Sequence, residues 1–352
     1  MNIKHFCFST IYVFVFLLFF SCASVPQEVP DWVEDYTVVY PDSTYIAQLA
    51  RVEKGDAVQV KNRAAVQLAE YIRAEVQSEK TTEYQMTQSA DGAVSEQLDI
   101  VSNSSVSTDL TMNYLEYTEP WYSKASKTWF CVAYIEREKA YEAYKPTIQD
   151  GRDKFMALYD KAEQESDYIQ KCVFYKSAYN SGSDFKSSYD FGILLNKNAV
   201  KEDYAADREL LNSIPAKVKE VISKCTMKLN VTGDYGNDNY SAILGVFSGM
   251  GFSVQRESSI YTVDAEIDPN DSVYKMKTKE THTIYPSINI RIRNKDGKTV
   301  YSFSFKTEQK TTNFTLENAQ RDAYPAFATE MSKALEIDFK EKTGVSDMNV
   351  KF

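Results

Sequence analysis

The stretch WFCVAYI at residues 129–135 decides the fold of the N-terminal part of the chain. In an extended strand, Trp129 and Cys131 point to one side, whereas Phe130 and Val132 point to the other. Both sides are apolar, which is typical of a central strand that is covered on both faces. The pattern therefore predicts a sheet that needs a packing layer on each side.

A long amphipathic helix precedes this strand and is predicted over residues 53–78. Apolar residues recur every three or four positions along one side, namely Ala57, Val60, Ala64, Leu68, Ile72 and Val76. The small alanines on that side favour close packing on a sheet. Thr82, Tyr84 and Met86 alternate with polar residues and predict a strand, and residues 93–112 predict another.

Several short segments of this region carry a family resemblance. They are Pro30-Asp31-Trp32-Val33, the strand at Tyr45, the helix end Glu75-Val76-Gln77-Ser78, and Trp129 to Tyr134 followed by Glu136-Arg137. Together they resemble the lipoprotein-20 family of small bacterial envelope lipoproteins, over about residues 30–145. The resemblance implies a helix packed on an antiparallel sheet, and its motifs are structural rather than catalytic.

The first 22 residues have the features of an export signal that ends in a lipid anchor. Residues 6–20 are predominantly apolar, and their 15 positions are short for a membrane span of ~20 residues. Small residues surround Cys22, as in the bacterial lipobox, which this segment resembles. We expect a thioether-linked diacylglycerol, with palmitate among its acyl chains, to be attached to Cys22, followed by cleavage before this residue. An uncleaved anchor and plain secretion are the alternatives.

The charge and histidine content exclude several classes of function. Among the 352 residues, 40 are Lys or Arg and 50 are Asp or Glu, which gives a net charge of −10 and argues against nucleic-acid binding. His5 lies in the predicted signal peptide, so His282 is the one imidazole left. A histidine-based triad then has one candidate imidazole, and a zinc site lacks clustered His and Cys ligands. We expect no enzyme activity, no cofactor and no metal site.

Three cysteines remain beyond the anchor: Cys131, Cys172 and Cys225. An odd number cannot form a fully paired disulfide framework in a monomer. Cys131 and Cys172 lie within apolar patterns, where a thiol packs as a small hydrophobic group. We expect reduced core thiols, with a disulfide that involves Cys225 as the alternative.

The rest of the chain predicts a helical region and a second sheet. Pro146 is expected to open a helix, Pro215 to kink another, and Pro325 to be a potential break in the last one. A strand near residues 227–231, a helix at 240–250 and a strand at 252–265 precede a hairpin that turns at Asp296-Gly297. The predicted domains are a signal peptide (1–21), a lipid-anchored tether (22–35), a lipoprotein-20-like α+β domain (36–145), a helical connector (146–224), a second α+β domain (225–342) and a tail (343–352).

The expected fold class is therefore α+β, with two small helix-on-antiparallel-sheet domains joined by a helical connector, behind a lipid-anchored tether. The expected location is the bacterial cell envelope, at the outer membrane, with the membrane as one partner through the anchor. A protein partner or self-association is expected to cover the second face of the N-terminal sheet. Three functions stay open: a non-catalytic assembly or scaffold lipoprotein, a surface-exposed ligand or host-factor binder, and a carboxylate-based hydrolase. An exposed Tyr/Trp patch would favour the second, and a deep cleft with facing carboxylates the third.

Overall fold

A computed structural model describes residues 28–91, 114–255 and 259–345. The helices are α1 (Asp31–Glu34), α2 (Tyr36–Val39), α3 (Ala57–Asp91), α4 (Arg137–Gln164), α5 (Tyr168–Ser223), α6 (Asp238–Gly249) and α7 (Leu316–Thr343). The strands are β1 (Tyr45–Glu53), β2 (Glu116–Tyr117), β3 (Trp121–Ser123), β4 (Thr128–Glu136), β5 (Thr226–Thr232), β6 (Ser253–Val254), β7 (Tyr261–Asp268), β8 (Ser272–Lys275), β9 (Glu280–Ile284), β10 (Ser287–Arg293), β11 (Thr299–Lys306) and β12 (Thr311–Asn313). These elements confirm the α+β class.

The described residues form two compact units. Unit 1 holds residues 28–73 and 114–137, and unit 2 holds residues 74–91, 138–255 and 259–345. The predicted connector, residues 146–224, is helical and belongs to the same unit as the C-terminal strands. The predicted domain boundaries stay predictions. The signal peptide, Cys22 and the strand expected over residues 93–112 lie outside the described residues.

The sheet of unit 1 is built around β4, as the stretch at residues 129–135 predicts. Strand β1 pairs with β4 in antiparallel register along its whole length, from Tyr45 opposite Glu136 to Glu53 opposite Thr128. The short strands β2 and β3 pair with the other edge of β4. Strand β4 is thus central, with neighbours on both edges.

Helix α3 contributes the predicted apolar stripe, since Val60, Ala64, Leu68 and Ile72 have no exposed surface. The helix continues to Asp91, so the strand predicted at residues 82–86 is wrong. The sequence has no glycine or proline between residues 57 and 91. Once a helix is nucleated, each further residue is added at little cost, and the alternation of a few residues does not stop it.

Unit 2 contains a three-helix bundle formed by α4 and the two parts of α5. The chain reverses at Asn196, whose φ of −148° and ψ of 86° are not helical. Its side-chain oxygen accepts a hydrogen bond from the backbone of Ala199 at 3.1 Å and caps the second part of α5. Gly182, before the reversal, then lies against Leu211, after it. Pro215 lies within the second part of α5, and the non-helical residue of α5 is Asn196.

Pro146 lies inside α4 and does not open a new helix. Tyr144 and Ile148, on either side of it, are fully buried, so packing holds the helix through the missing hydrogen bond. The expected break at Pro325 is wrong for the same reason, since α7 runs through it and Tyr324 has no exposed surface.

A polar cluster joins the ends of these bundle helices. The Glu163 carboxylate accepts hydrogen bonds from Lys217 Nζ and from the Tyr175 hydroxyl, both at 2.7 Å. Burial alone would raise the pKa of Glu163, but hydrogen bonds from Lys217, Tyr175 and Tyr159 outweigh it and lower the pKa to about 2. The cluster therefore holds an ionised carboxylate at neutral pH.

The five-stranded sheet of unit 2 has the order β11-β10-β7-β5-β6. Its β10–β11 hairpin turns at Gly297, which has a φ of +75°, and confirms the turn predicted at Asp296-Gly297. The sheet is mixed rather than antiparallel, because β5 runs parallel to β6 and β7. Helix α6 connects β5 to β6 and provides the crossover that a parallel pair requires. The strand predicted at 252–265 is divided into β6 and β7.

Helix α7 supplies the core of this unit, with Phe327, Met331, Leu335 and Phe339 almost fully buried. A second, three-stranded sheet has the order β12-β9-β8. The sequence pattern of these strands does not indicate a sheet. Strand β8 is exposed at every residue, so the alternation of buried and exposed positions is missing there.

Candidate functional site

The two faces of the unit 1 sheet differ in burial. On one face, Ile46 and Ala50 of β1 lie opposite Ile135 and Cys131 of β4, and none of the four has exposed surface. The contact of Lys61 in α3 with the ring of Tyr117, at 5.9 Å, places the helix over this face. This face is therefore an ordinary helix-on-sheet core.

The opposite face carries aromatic and aliphatic side chains that are mostly half-buried. We call it the aromatic face, and it consists of Tyr40, Tyr45, Ala47, Leu49, Trp121, Phe130, Val132 and Tyr134. Val132 alone among these is fully buried. The face thus presents ring edges and apolar atoms, and α3 lies on the other side of the sheet.

Three tyrosines pack at one end of the aromatic face. The rings of Tyr40 and Tyr134 are stacked with centroids 4.5 Å apart, and Tyr45 meets both edge-on. The Tyr134 hydroxyl donates to Glu116 at 3.2 Å. Burial, followed by the neighbouring Tyr40 and the bond to Glu116, raises the pKa of Tyr134 to about 12. The phenol therefore stays protonated and acts as a hydrogen-bond donor.

The other end of the aromatic face combines rings with a positive charge. Trp121 and Phe130 lie 5.7 Å apart, and the Arg51 guanidinium lies 5.6 Å from the centre of the Phe130 ring. Arg51 also borders a shallow depression of about 520 Å³ between β1 and α3. Most of its lining is exposed, unlike the buried walls of a small-molecule pocket.

Sequence reasoning identified the Phe130, Val132 and Tyr134 side of β4 as a face that needs a cover. It missed Tyr40 and Trp121, because these come from separate short elements. Alternation within one strand cannot show which residues of other elements join its face. An aromatic residue just before the predicted strand at Tyr45 is the signal that could have suggested Tyr40.

His282 lies in β9, in the small sheet of unit 2. Its Nδ1 is 2.6 Å from Asp271 Oδ2, and its Nε2 is 3.7 Å from Glu280 Oε1. In a catalytic triad the second ring nitrogen faces a hydroxyl or thiol nucleophile rather than a carboxylate. The arrangement therefore resembles a clamp that ties β9 to the loop before β8.

The three cysteines are free and buried, as expected for core thiols. Burial raises the pKa of Cys172 to about 12 and raises that of Cys225 as well. Burial also raises the pKa of Cys131, partly offset by a hydrogen bond from Thr118. Since the thiolate is the reactive form, these side chains are poor nucleophiles.

Two properties of the described residues bear on metals and membranes. Across residues 28–91, 114–255 and 259–345, no group of three His, Cys, Asp or Glu side chains is placed to hold a metal ion. None of the helices in those same ranges is long and apolar enough to cross a bilayer. Cys22, the predicted site of lipid attachment, lies outside them, so its role stays a prediction.

Comparisons with known proteins give weak matches. No family model matches the chain, and no curated protein matches it. Solved structures similar to parts of it include a minor lipoprotein from Acinetobacter baumannii, with 11% identity, TM-score 0.24, and coverage of 32% of this chain and 93% of the other. A secreted protein from Helicobacter pylori matches with 13% identity, TM-score 0.31, and coverage of 82% and 97%.

A Xanthomonas campestris protein of the family DUF330 matches with 14% identity, TM-score 0.23, and coverage of 35% of this chain and 85% of the other. With TM-scores this low, these matches decide neither the family nor the function of this chain. The resemblance to the lipoprotein-20 family stays a prediction.

Proposed function

We propose that this chain is a non-catalytic lipoprotein of the bacterial cell envelope, anchored through Cys22 at the outer membrane, that acts as an assembly or scaffold component. The observation that carries this proposal is the difference between the two faces of the unit 1 sheet. One face is closed by α3, and the aromatic face keeps half-buried rings that suit a protein partner or a second copy.

The composition of the aromatic face supports protein docking. Tyr, Trp and Phe are enriched in the central parts of protein interfaces, and charged groups lie at their rims. Here Tyr134 and Trp121 stand among aliphatic side chains, with Glu116 and Arg51 at the margins. Covering such a face removes apolar surface from water, which contributes about 25 cal/mol for each Å² buried.

Binding of a small ligand is the second candidate function, and the same rings favour it. The stacked pair of Tyr40 and Tyr134 and the nearby Trp121 offer flat apolar surfaces with a protonated phenol beside them. Sugar rings can lie against surfaces of this kind. A carboxylate-based hydrolase has less support, because the aromatic face presents rings rather than two facing carboxylates in a cleft.

The docking proposal is tested with the chain from residue 23 onward, which retains every described residue. Leu49→Asp places a charge at the middle of the aromatic face, opposite Val132 of β4. Val66→Asp, on the exposed side of α3, is the matched control, since Val66 is 55% exposed. We expect Leu49→Asp to weaken self-association or binding to an envelope protein by more than about tenfold, equivalent to about 1.4 kcal/mol.

The measurement is sedimentation velocity over a range of concentrations, together with crosslinking in native envelopes. Circular dichroism confirms that each variant is folded. A wild-type chain that stays monomeric and crosslinks to no protein, yet binds envelope oligosaccharides through Trp121, would replace docking by ligand binding.

The anchor is tested by metabolic labelling with palmitate. We expect the wild type and Cys131→Ala to be labelled and Cys22→Ala to lose the label, because Cys131 is a buried core thiol. Equal labelling of Cys22→Ala would remove the lipoprotein part of the proposal. Separation of inner and outer membranes by density then tests the outer-membrane location.

A further inference from the structure

The small sheet of unit 2 projects a tight hairpin formed by β8 and β9. The backbone N–H of Met276 donates to the carbonyl of Lys279 at 2.7 Å, so residues 277 and 278 form the turn. Tyr274 lies opposite Thr281 in this hairpin. On its other edge β9 pairs with β12, where Thr312 lies opposite Thr283.

Three large apolar side chains are strongly exposed at this sheet. Tyr274 is 65% exposed, Met276 57% and Phe314 62%. Tyr274 and Met276 are two positions apart and therefore share a face. Phe314 directly follows β12, and the Lys279 ammonium 5.4 Å from its ring places it beside the hairpin turn. Each of these side chains exposes more than half its surface to water.

Three lysines lie at this hairpin, and one of them, Lys275, lies 3.6 Å from Glu280. Lys275, Lys277 and Lys279 fall within five consecutive residues, in a chain whose net charge is −10. The Lys279 ammonium lies 5.4 Å from the centre of the Phe314 ring. The hairpin tip is therefore a basic and apolar spot on an acidic protein. We call Tyr274 to Glu280 together with Phe314 the basic hairpin.

On the opposite face, polar contacts hold β9 and β12, whereas Val273 of β8 remains 45% exposed. Besides the bond between His282 and Asp271, Asn313 donates to Asp322 of α7 at 2.8 Å. These contacts attach the sheet to unit 2 and leave the face with Tyr274 outward. The exposed face is thus presented by a supported sheet.

We propose that the basic hairpin binds the surface of an anionic phospholipid bilayer. Tyr, Phe and Met side chains enter the interfacial region of bilayers, and lysines beside them reach the phosphate groups with their ammonium ends. Anionic lipid attracts each lysine near the surface and repels the acidic remainder of the chain. This contact does not depend on Cys22, so it goes beyond the proposed anchor.

The test uses the chain from residue 23 onward, which lacks the predicted lipid attachment site. Binding is measured by co-sedimentation with vesicles of phosphatidylcholine alone and with vesicles that also contain phosphatidylglycerol. We expect binding to the anionic vesicles, weaker binding at high salt because of screening, and far weaker binding to neutral vesicles.

Two variants separate the charged and apolar contributions. The double change Lys277→Gln and Lys279→Gln is expected to weaken binding about 25-fold, from about fivefold for each lysine. The double change Met276→Ser and Phe314→Ser is expected to weaken it about tenfold or more.

Two control variants carry the same changes elsewhere in unit 2. Lys295→Gln with Lys298→Gln alters two lysines beside the other hairpin turn, at Asp296-Gly297. Ile337→Ser alters an apolar residue that is 58% exposed on α7. We expect both to bind within about twofold of the wild type.

Several results would overturn the proposal. The chain could fail to bind anionic vesicles, or it could bind neutral and anionic vesicles equally well. The control variant at Lys295 and Lys298 could also lose as much binding as the variant at Lys277 and Lys279. Retained binding in the Met276 and Phe314 variant would also overturn it. Electrostatic attraction between the lysines and phosphate groups would then explain binding without any apolar contact. Circular dichroism of each variant confirms that the fold is intact.

Discussion

Replacing Gly182 by alanine tests the reversal of α5, the feature of unit 2 that the sequence analysis did not predict. A Cβ at this position would lie 2.3 Å from Leu211 Cδ1 and 3.0 Å from Leu211 Cδ2. Such an approach forces Leu211 out of its position, and overpacking of this kind typically costs 1–3 kcal/mol. The better helix propensity of alanine offsets about 1 kcal/mol. We expect a net loss of up to about 2 kcal/mol.

The second step is a double-mutant cycle with Leu211→Ala. Leu211 is only 3% exposed, so its truncation alone should cost about 3 kcal/mol. In the double variant the clash is gone and the new methyl group fills part of the cavity. The loss of stability in the double variant should therefore be smaller, by at least about 1 kcal/mol, than the sum of the losses in the two single variants.

The assay is urea denaturation of the chain from residue 23 onward, followed by far-UV circular dichroism. Circular dichroism is used because it reports on the helices of unit 2. Tryptophan fluorescence would report on unit 1, since the three tryptophans, at positions 32, 121 and 129, all lie there. Gly245→Ala is the control, since nothing lies within 4 Å of a Cβ there, and it should stabilise by about 0.5–1 kcal/mol. Additive losses in the cycle would refute the packing of Gly182 against Leu211.

Three further predictions concern other parts of the molecule. Leu68→Ala should destabilise unit 1 by about 2–5 kcal/mol, because Leu68 has no exposed surface, and tryptophan fluorescence during urea unfolding measures this. Glu163→Gln should cost no more than about 1 kcal/mol at neutral pH, because Glu163 and Lys217 are 40% and 33% exposed and solvent screens the pair. Since folding lowers the pKa of Glu163 from 4.5 to about 2, the wild-type advantage should be complete above pH 4.5 and disappear as pH falls toward 2; a difference that persists at pH 2 would contradict the assignment. Cys172 and Cys225 should react with a thiol reagent at pH 8 only after unfolding, and rapid reaction in the native chain, measured by mass spectrometry, would show that these thiols are accessible.

Periodicity predicted the elements whose two sides differ in environment. The stripe of α3 from Val60 to Ile72 and the hairpin at Asp296-Gly297 were both predicted, because burial repeats in them with a fixed period. The central position of β4 followed from two apolar sides. These patterns are local, and they persist in the fold because one side of each element packs against the core along its whole length.

The errors occurred where local signals compete with packing. Pro325 predicted a break, yet buried neighbours such as Tyr324 hold α7 through it. Asn196 looks like an ordinary polar residue within a helical pattern, and its role as a cap becomes visible only in the structure. The aromatic face was predicted only in part, since Tyr40 and Trp121 reach it from other elements.

If both proposals hold, the chain has two binding surfaces with different partners and different physics. The predicted diacylglycerol at Cys22 would hold the chain at a bilayer but leave its rotation free. Charge attraction at the basic hairpin restricts unit 2 and weakens with salt, whereas apolar docking at the aromatic face uses unit 1 and depends little on salt. Leu49→Asp should therefore leave vesicle binding unchanged, and the Lys277 and Lys279 variant should leave protein docking unchanged. A loss of both activities in either variant would mean that the two surfaces serve a single contact.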